Sequence, residues 1–532
     1  MKVPDAGRGV RGGGGGGGGR HAAQVAAGIL VTRVLGYVRE RIFAYYFGNA
    51  SVAADAMRAA LRIPNAIRNL LGEATLSASF IPVYATLAQR KDQGAARALA
   101  GAVLGLLVLA TGVLTVLGIG FAPAITTLIA KGFDAPRRDL TITLVRILFP
   151  MTGLMVVSAW CLGILNTHRR FFLPYAAPAL WNIAGIAAMV AAGTWLANRA
   201  LSLELQLHRL ALALAWGTVA GSLLQIGVQL PACWRLLGGI ALRFTTRPEG
   251  VRDVVTAWLP LLLGAGVAQL SGFVDTVLGS FTGPGGVSAL GYAQLVQLLP
   301  VSVFGASVAA ASLPELSRDA AAATPNEQLR VRIATAFRRV TFFVLPSSFA
   351  FAALGPVLVA ALFQTGRFDA DDSALVGGVL AAYGVGLLGQ ATVKLFASGF
   401  YALRDTRTPV KIATLSLALS TGLAVVLMRR YGPAGIAFGS SLGSTVNVIL
   451  HLRDLDRRIG AIMGAVEWRA VGASVVAAGA ATAGAAAAVR FAAGTGPIPV
   501  ALLGVTIFGV MYAALALALK HPDAARLWKL VT

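Results

Sequence analysis

The chain has 532 residues, 57% hydrophobic and 13% charged, with a formal net charge of +23. Soluble domains average about 45–50% apolar and about 25% charged residues, so this composition excludes an ordinary soluble enzyme. Apolar runs of bilayer-crossing length recur throughout, without the short alternating segments of a β-barrel, which leaves an all-α polytopic membrane protein.

In chain order, residues 1–21 read as a disordered glycine-rich cytoplasmic tail. Eight consecutive glycines (12–19) sit among Lys2, Arg8, Arg11 and Arg20. About fourteen spans follow, at 22–48, 52–88, 99–130, 139–166, 173–197, 208–236, 253–282, 287–317, 331–365, 373–403, 409–429, 432–452, 468–490 and 499–520. With the N-terminus inside, cytoplasmic segments collect roughly 28 of the Lys and Arg residues and external loops roughly nine. An even helix number then places the C-terminal tail, 521–532, in the cytoplasm too. The external pairs Arg137/Arg138 and Arg429/Arg430 run against that rule. Loop-borne positive charge of this kind reflects membrane topology and names no nucleic-acid partner. Cys161 and Cys233 lie in apolar runs, and His21, His168, His208, His451 and His521 are scattered. Neither set has metal-ligand spacing, so no metal or cofactor is expected.

An internal repeat divides the chain. Gly36-Tyr-Val-Arg39 matches Gly272-Phe-Val-Asp275, and Pro64 matches Pro300, both at an offset of 236 residues. Six spans separate the copies, so the halves share one orientation, as in transporters with a central site between parallel repeats. We therefore expect an N-lobe (22–250), a C-lobe (251–460) and two additional helices (461–520).

The halves differ sharply in charge. Arg33, Arg39, Arg41, Arg58, Arg62 and Arg68 fall within the first two spans, with Glu40 and Asp55 as the nearby acids, whereas 254–317 contain no Lys or Arg. An arginine mid-membrane costs roughly 2.5–3.5 kcal/mol, and six facing lipid would cost on the order of 15 kcal/mol. They are expected to line a wet cavity suited to phosphate, which guanidinium binds with two parallel donors. Arg41 reads best as snorkelling to headgroups. Asp55, three and seven residues before Arg58 and Arg62, is placed to hold them, and Pro64-Asn65 to kink the helix. Lys394 is a lone cation in the tenth span, free to meet helix carbonyls, Asp275 or substrate. Glu73 is a candidate partner of Arg68 or Asn69, or a coupling group. Arg404-Asp405 and Arg407 suit an interfacial loop lock. No nucleotide-binding loop is encoded, so transport would draw on a gradient, the membrane potential or a partner.

Several stretches resemble the MurJ (MviN) lipid II flippases. They are Arg33-Val-Leu-Gly-Tyr-Val-Arg39, Asp55-Ala, Arg62-Ile-Pro-Asn-Ala-Ile-Arg68 and Ile164-Leu-Asn-Thr-His-Arg-Arg-Phe-Phe-Leu-Pro174. Leu362-Phe-Gln-Thr-Gly-Arg-Phe368 and Gly399-Phe-Tyr-Ala-Leu-Arg-Asp-Thr-Arg-Thr-Pro-Val-Lys411 complete the set. The resemblance implies the multidrug/oligosaccharidyl-lipid/polysaccharide exporter fold: two six-helix lobes around a cationic cavity, plus two helices forming a lipid-tail groove. It implies a transporter, not an enzyme, in the bacterial cytoplasmic membrane, moving undecaprenyl-pyrophosphate-linked peptidoglycan precursor (lipid II) from the inner to the outer leaflet. Membrane lipids are the other expected partners. The family's cavity arginines fall on Arg33, Arg39 and Arg68, and its acids on Asp55 and Glu73. Arg62, Lys394 and Asp275 complete the candidate substrate-binding set. One departure stands out: Tyr292-Ala-Gln-Leu295 carries leucine where family members often have an arginine. Two alternatives stay open, a flippase for another polyprenyl-pyrophosphate-linked saccharide and a non-transporting scaffold for cell-wall synthesis proteins.

Overall fold

The structure is a computed structural model that describes residues 15–90, 92–319, 325–492 and 494–531. The first half runs α1 (Gly15–Phe47), α2 (Val52–Leu71), α3 (Glu73–Gln89), α4 (Gln93–Gly120), α5 (Ala122–Ile129), α6 (Ala135–Thr167), α7 (Phe172–Ala176), α8 (Pro178–Ala197) and α9 (Leu203–Leu237). The second half runs α10 (Val251–Ser280), α11 (Gly286–Pro300), a π-helical turn (Val301–Gly305), α12 (Ala306–Asp319), α13 (Pro325–Phe363), α14 (Ala370–Ala402) and α15 (Arg407–Ile459). Three helices follow: α16 (Trp468–Phe491), α17 (Pro497–Ala518) and α18 (Pro522–Val531). Among the described residues, eleven helices are long and apolar enough to cross a membrane. One of them, α15, turns back at Gly432, whose φ of 55° and ψ of −136° lie outside helical space and where a side chain would be strained.

Local differences from the sequence reading have identifiable causes. α1 starts at Gly15, so the last glycines of the tract extend the helix upstream instead of forming a linker. The second span breaks at Gly72, with φ −98° and ψ −130°, and not at Pro64, which α2 accommodates. The matching break in the second half is the π-helical turn after Pro300, whose ring nitrogen cannot donate to the helix ladder. The offset of 236 carries Gly72 to within one turn of that π segment. Residues 522–531 form a docked helix and not a loose tail. Arg338 on α13 is buried and donates to the Asp523 carboxylate at 3.0 and 3.4 Å, while its other nitrogen lies 2.7 Å from Glu467. His521 stacks on Phe342, ring centroids 4.5 Å apart.

The distribution of the core shows how the halves meet. One end of the bundle carries the basic connections, such as 168–171, 238–250 and 403–407; we call it the basic end. At the opposite, far end a single apolar cluster unites α1, α2, α6 and α9 with α11, α13 and α14. At the basic end the apolar contacts split. One cluster joins α3, α4, α6, α9 and the start of α10; another joins α12, α13, α14 and α15. Apart from the start of α10, which packs with the first half's cluster, the halves share one core at the far end and keep separate cores at the basic end, a clamp closed at the far end.

Candidate functional site

The cross-half contacts of that closed end begin with Asp55. It is fully buried, and its carboxylate accepts the backbone N–H groups of Gly285 (2.8 Å) and Ser288 (2.9 Å) at the start of α11. Those N–H groups have no partner inside their own helix, and the positive end of the helix dipole favours an anion there. Arg137 reaches Asp55 at 3.4 Å and Asp134 at 2.7 Å. This explains one arginine that contradicts the loop-charge rule: Arg137 is a buried ion-pair member, not a loop charge. Asp55 therefore does not hold Arg58 and Arg62, as its helical spacing had suggested. Around it, Asn49 N–H donates to Asp372 (2.9 Å), Gly132 N–H to Ser280 Oγ (2.9 Å) and Arg367 N–H to the Tyr45 carbonyl (3.0 Å). Arg41, expected to snorkel, donates at 2.8 Å to the carbonyls of Ala361 and Leu362 at the end of α13. It satisfies acceptors that a helix C-terminus leaves open.

One layer deeper, Glu40 takes part of the role expected of Asp55, holding Arg58 but not Arg62. Its two oxygens each lie 2.6 Å from a guanidinium, one from Arg39 and one from Arg58. Arg39 also stacks over Trp181 at 4.2 Å, and Arg58 over Tyr292 at 4.5 Å and Phe43 at 5.0 Å. Aromatic faces and a shared carboxylate together stabilise two cations in a poorly hydrated place. The space left among these side chains is only about 30 Å³, too little for a pyrophosphate.

The roomy cavity lies on the other side. A space of about 740 Å³ opens between α10, α11, α14 and α15, lined by Arg62, Asp275, Gln294, Tyr383, Lys394 and Ser440 among others. Arg62 crosses from α2 into it by lying over Gly272, where even a methyl group would overlap the guanidinium. Asp275 is buried and accepts from Gln294 Nε2 (2.8 Å) and Ser440 Oγ (3.3 Å), and Gln294 also donates to the Tyr383 hydroxyl (3.0 Å). Lys394 is exposed to this space and, among the described residues, makes neither an ion pair nor a hydrogen bond through its ammonium. It does not pair with Asp275. Arg33, on α1, is exposed without a hydrogen bond or ion pair among the described residues. Arg68 is half-buried in the last turn of α2, and beside it Asn69 Nδ2 meets Gln269 Oε1 of α10 at 3.4 Å. The Glu73 side chain lies outside the described residues. Leu295 is 38% exposed on a face of α11 that also exposes Leu298, Leu299 and Val303. The structure thus gathers Arg62, Asp275 and Lys394 around one cavity, and ties Arg39 into a separate packed cluster.

A sequence profile described as "Lipid II flippase MurJ" matches residues 43–496. The chain belongs to the MurJ lipid II flippase family. It is 34% identical to the lipid II flippase MurJ of Burkholderia cenocepacia over 468 residues, covering 86% of this chain and 88% of that protein. It is 30% identical to a probable lipid II flippase MurJ of Rhizobium meliloti over 431 residues, 80% and 78% of the two chains. In fold it matches a solved lipid II flippase MurJ in an inward closed conformation, with TM-score 0.72 and 20% identity across 94% of this chain and all of that one. An inward-facing multidrug-resistance MATE transporter of the MOP superfamily matches with TM-score 0.63 and 17% identity, over 84% of this chain and 99% of that one. The MurJ family and the MOP fold were legible in the arginine motifs. Glu40 was named only as a nearby acid and Gly272 only as part of the repeat, and no role was assigned to Gln294, Tyr383 or Ser440. The repeat offset was the available clue, because it places Gln294 at the position of Arg58.

Proposed function

We propose that this chain moves lipid II from the inner to the outer leaflet of the bacterial cytoplasmic membrane, as a multi-pass transporter of fourteen crossings in two lobes with two additional helices. The basic end is the cytoplasmic end and carries both termini, following the positive-inside rule. The observation that carries this reading is an arginine-bearing α1–α2 pair beside a cleft closed at the far end, in a chain of the MurJ family. The pyrophosphate is held from the N-lobe by Arg33, Arg39 and Arg68. Glu40 and Trp181 fix Arg39 in place, and the pyrophosphate meets the 20% of its side chain left exposed outside the packed space, while Arg33 is free to make first contact. The sugar–peptide headgroup takes the larger C-lobe cavity, where amide, hydroxyl and phenol groups offer neutral hydrogen bonds and Lys394 faces carboxylates. Release of the Asp55, Asn49 and Arg41 contacts opens the far end, and the headgroup crosses while the prenyl tail stays in lipid. Only a difference in affinity between the two states drives such a cycle. The membrane potential adds about 2.3 kcal/mol per charge per 100 mV.

The test is depletion rescue in a bacterium lacking its own lipid II flippase, with the wild type and Arg33→Ala, Arg39→Ala and Arg68→Ala. Rescue by the wild type and loss in the variants, at equal expression, is the expected result. Rescue by all three variants would favour the scaffold for cell-wall synthesis proteins. Leu295 is the specific observation behind a second reading, in which the cargo is another polyprenyl-pyrophosphate-linked saccharide. Failure of the well-expressed wild type to rescue would favour that reading.

A further inference from the structure

A second cationic cavity lies away from the transport cleft. At the basic end of the first half, a space of about 510 Å³ opens between the start of α1, the α6–α7 connection and the end of α9. Arg169, Arg170 and Arg235 line it, and Phe172, Leu173 and Leu236 supply apolar lining. Among the described residues none of the three arginines has a carboxylate within ion-pair distance. Arg169 occupies the left-handed position that ends α6, with φ 58°, and the Arg170 N–H closes the turn onto the Leu165 carbonyl at 2.8 Å. Arg169 and Arg170 line the cavity from the α6–α7 connection and Arg235 from α9: three like charges around one cavity with no carboxylate paired to them among the described residues.

The cavity is separate from the cleft by helix phase. Gln24, which lines it, lies on the face of α1 that packs on α7 and α8. Thr32 on the same side donates to the Tyr175 carbonyl at 2.9 Å, and Gly28 abuts Tyr175. Arg33 lies nine residues beyond Gln24, about half a turn out of phase at 100° per residue, and faces away.

We propose that this cavity binds a phosphate-bearing ligand as a resident, non-transported group that ties α1, α6, α7 and α9 together. Guanidinium groups supply paired donors for phosphate oxygens, and the leucines suit the glycerol and first acyl carbons of a phospholipid. The same donors would also take a soluble phosphate, which lacks the apolar part.

The experiment uses the full chain in detergent. Binding of dioleoyl phosphatidylglycerol, dioleoyl phosphatidylcholine and inorganic pyrophosphate is measured by native mass spectrometry and thermal shift. The proteins are the wild type, the triple variant Arg169→Gln/Arg170→Gln/Arg235→Gln, the single variant Arg235→Gln and Arg33→Ala. Phosphatidylglycerol is expected to bind the wild type and Arg33→Ala equally. The single variant should bind roughly threefold more weakly and the triple variant at least about tenfold more weakly. Phosphatidylcholine should bind more weakly throughout. Pyrophosphate binding that is lost in the triple variant, without a phosphatidylglycerol effect, would retain the site and name a soluble ligand. Equal phosphatidylglycerol and pyrophosphate binding by the wild type and the Arg235→Gln and triple variants would overturn the proposal. So would a loss confined to Arg33→Ala, which would put the ligand in the transport cleft. If the triple variant does not fold, Arg235→Gln, at an exposed helix end, decides alone.

Discussion

Arg58 on α2 and Gln294 on α11 occupy corresponding places in the two halves, and each is held by a carboxylate from the preceding membrane helix. Arg58 meets Glu40 at 2.6 Å, and Gln294 meets Asp275 at 2.8 Å. The surroundings then diverge. In the first half two guanidinium groups, one carboxylate and the rings of Phe43 and Trp181 close around a residual space of about 30 Å³. In the second half an amide and a hydroxyl satisfy the carboxylate beside a cavity of about 740 Å³. Charges in a low dielectric tolerate no slack, because an uncompensated one costs several kcal/mol, so the charged half packs shut. Neutral donors satisfy Asp275 at lower stakes and leave room. The first half is thus built as a rigid presenter of positive charge and the second as a container.

Five substitutions sharpen or break that contrast. The largest effect belongs to Glu40→Ala, which leaves Arg39 and Arg58 facing each other. Removing one member of a buried ion cluster costs about 3–5 kcal/mol, read as a lowered thermal midpoint in detergent and failed rescue. Asp275→Asn should cost clearly less, since the amide oxygen still accepts from Gln294 and Ser440. If the two are equal, the halves do not differ as described. Next come the paired glycines of the repeat. Gly272→Ala displaces Arg62 and should cost about 1–3 kcal/mol, whereas Gly36→Ala meets only Asn182 at 3.8 Å and should be within about 0.5 kcal/mol of neutral. Chemical unfolding of both variants checks this. Smaller still is Leu295→Arg, which places a cation on the exposed α11 face; we expect rescue within about twofold of wild type, because N-lobe arginines already hold the phosphates.

The smallest effect is a pH dependence at α18. Burial holds the His521 imidazole below its ordinary value of 6.5, with Asp523 raising it and Arg338 lowering it further, and Glu467 nearby. The unfolded chain therefore takes up a proton first as pH falls, so stability present above about pH 6.5 declines below it until the folded-state value is reached. A thermal midpoint that falls between pH 7 and 5.5 in the wild type, and falls less in His521→Phe, is the expected result. By contrast the Asp405 loop lock should persist into strong acid. Hydrogen bonds from the Thr408 hydroxyl and backbone, and from Arg458, hold its carboxyl well below the usual carboxylate range.

The apolar runs, the 236-residue offset and the arginine-rich opening pair were legible in the sequence because each is a local pattern. Pairing was not. Asp55 stands three residues from Arg58 on one helix, yet it caps a helix 230 residues away, since backbone N–H groups at a helix start leave no side-chain trace. Glu40 took part of that role because the fold, not spacing along one helix, brings its carboxylate from α1 to Arg58 on α2. Residues 521–532 were placed as a cytoplasmic tail by helix number alone, and nothing local signals that Asp523 meets Arg338, 185 residues earlier. The break at Gly72 and not at Pro64 follows the same logic: a proline's lost hydrogen bond can be absorbed within a packed helix.

The contrast between a tightly packed presenter of charge and a roomy container is tested most directly by lipid II binding to the purified chain, comparing Arg39→Ala with Lys394→Ala. The account predicts at least about a tenfold loss of affinity for Arg39→Ala and no more than about a threefold loss for Lys394→Ala, reflecting a lost phosphate contact against a single headgroup contact. The reverse order would contradict it and put the pyrophosphate in the second half.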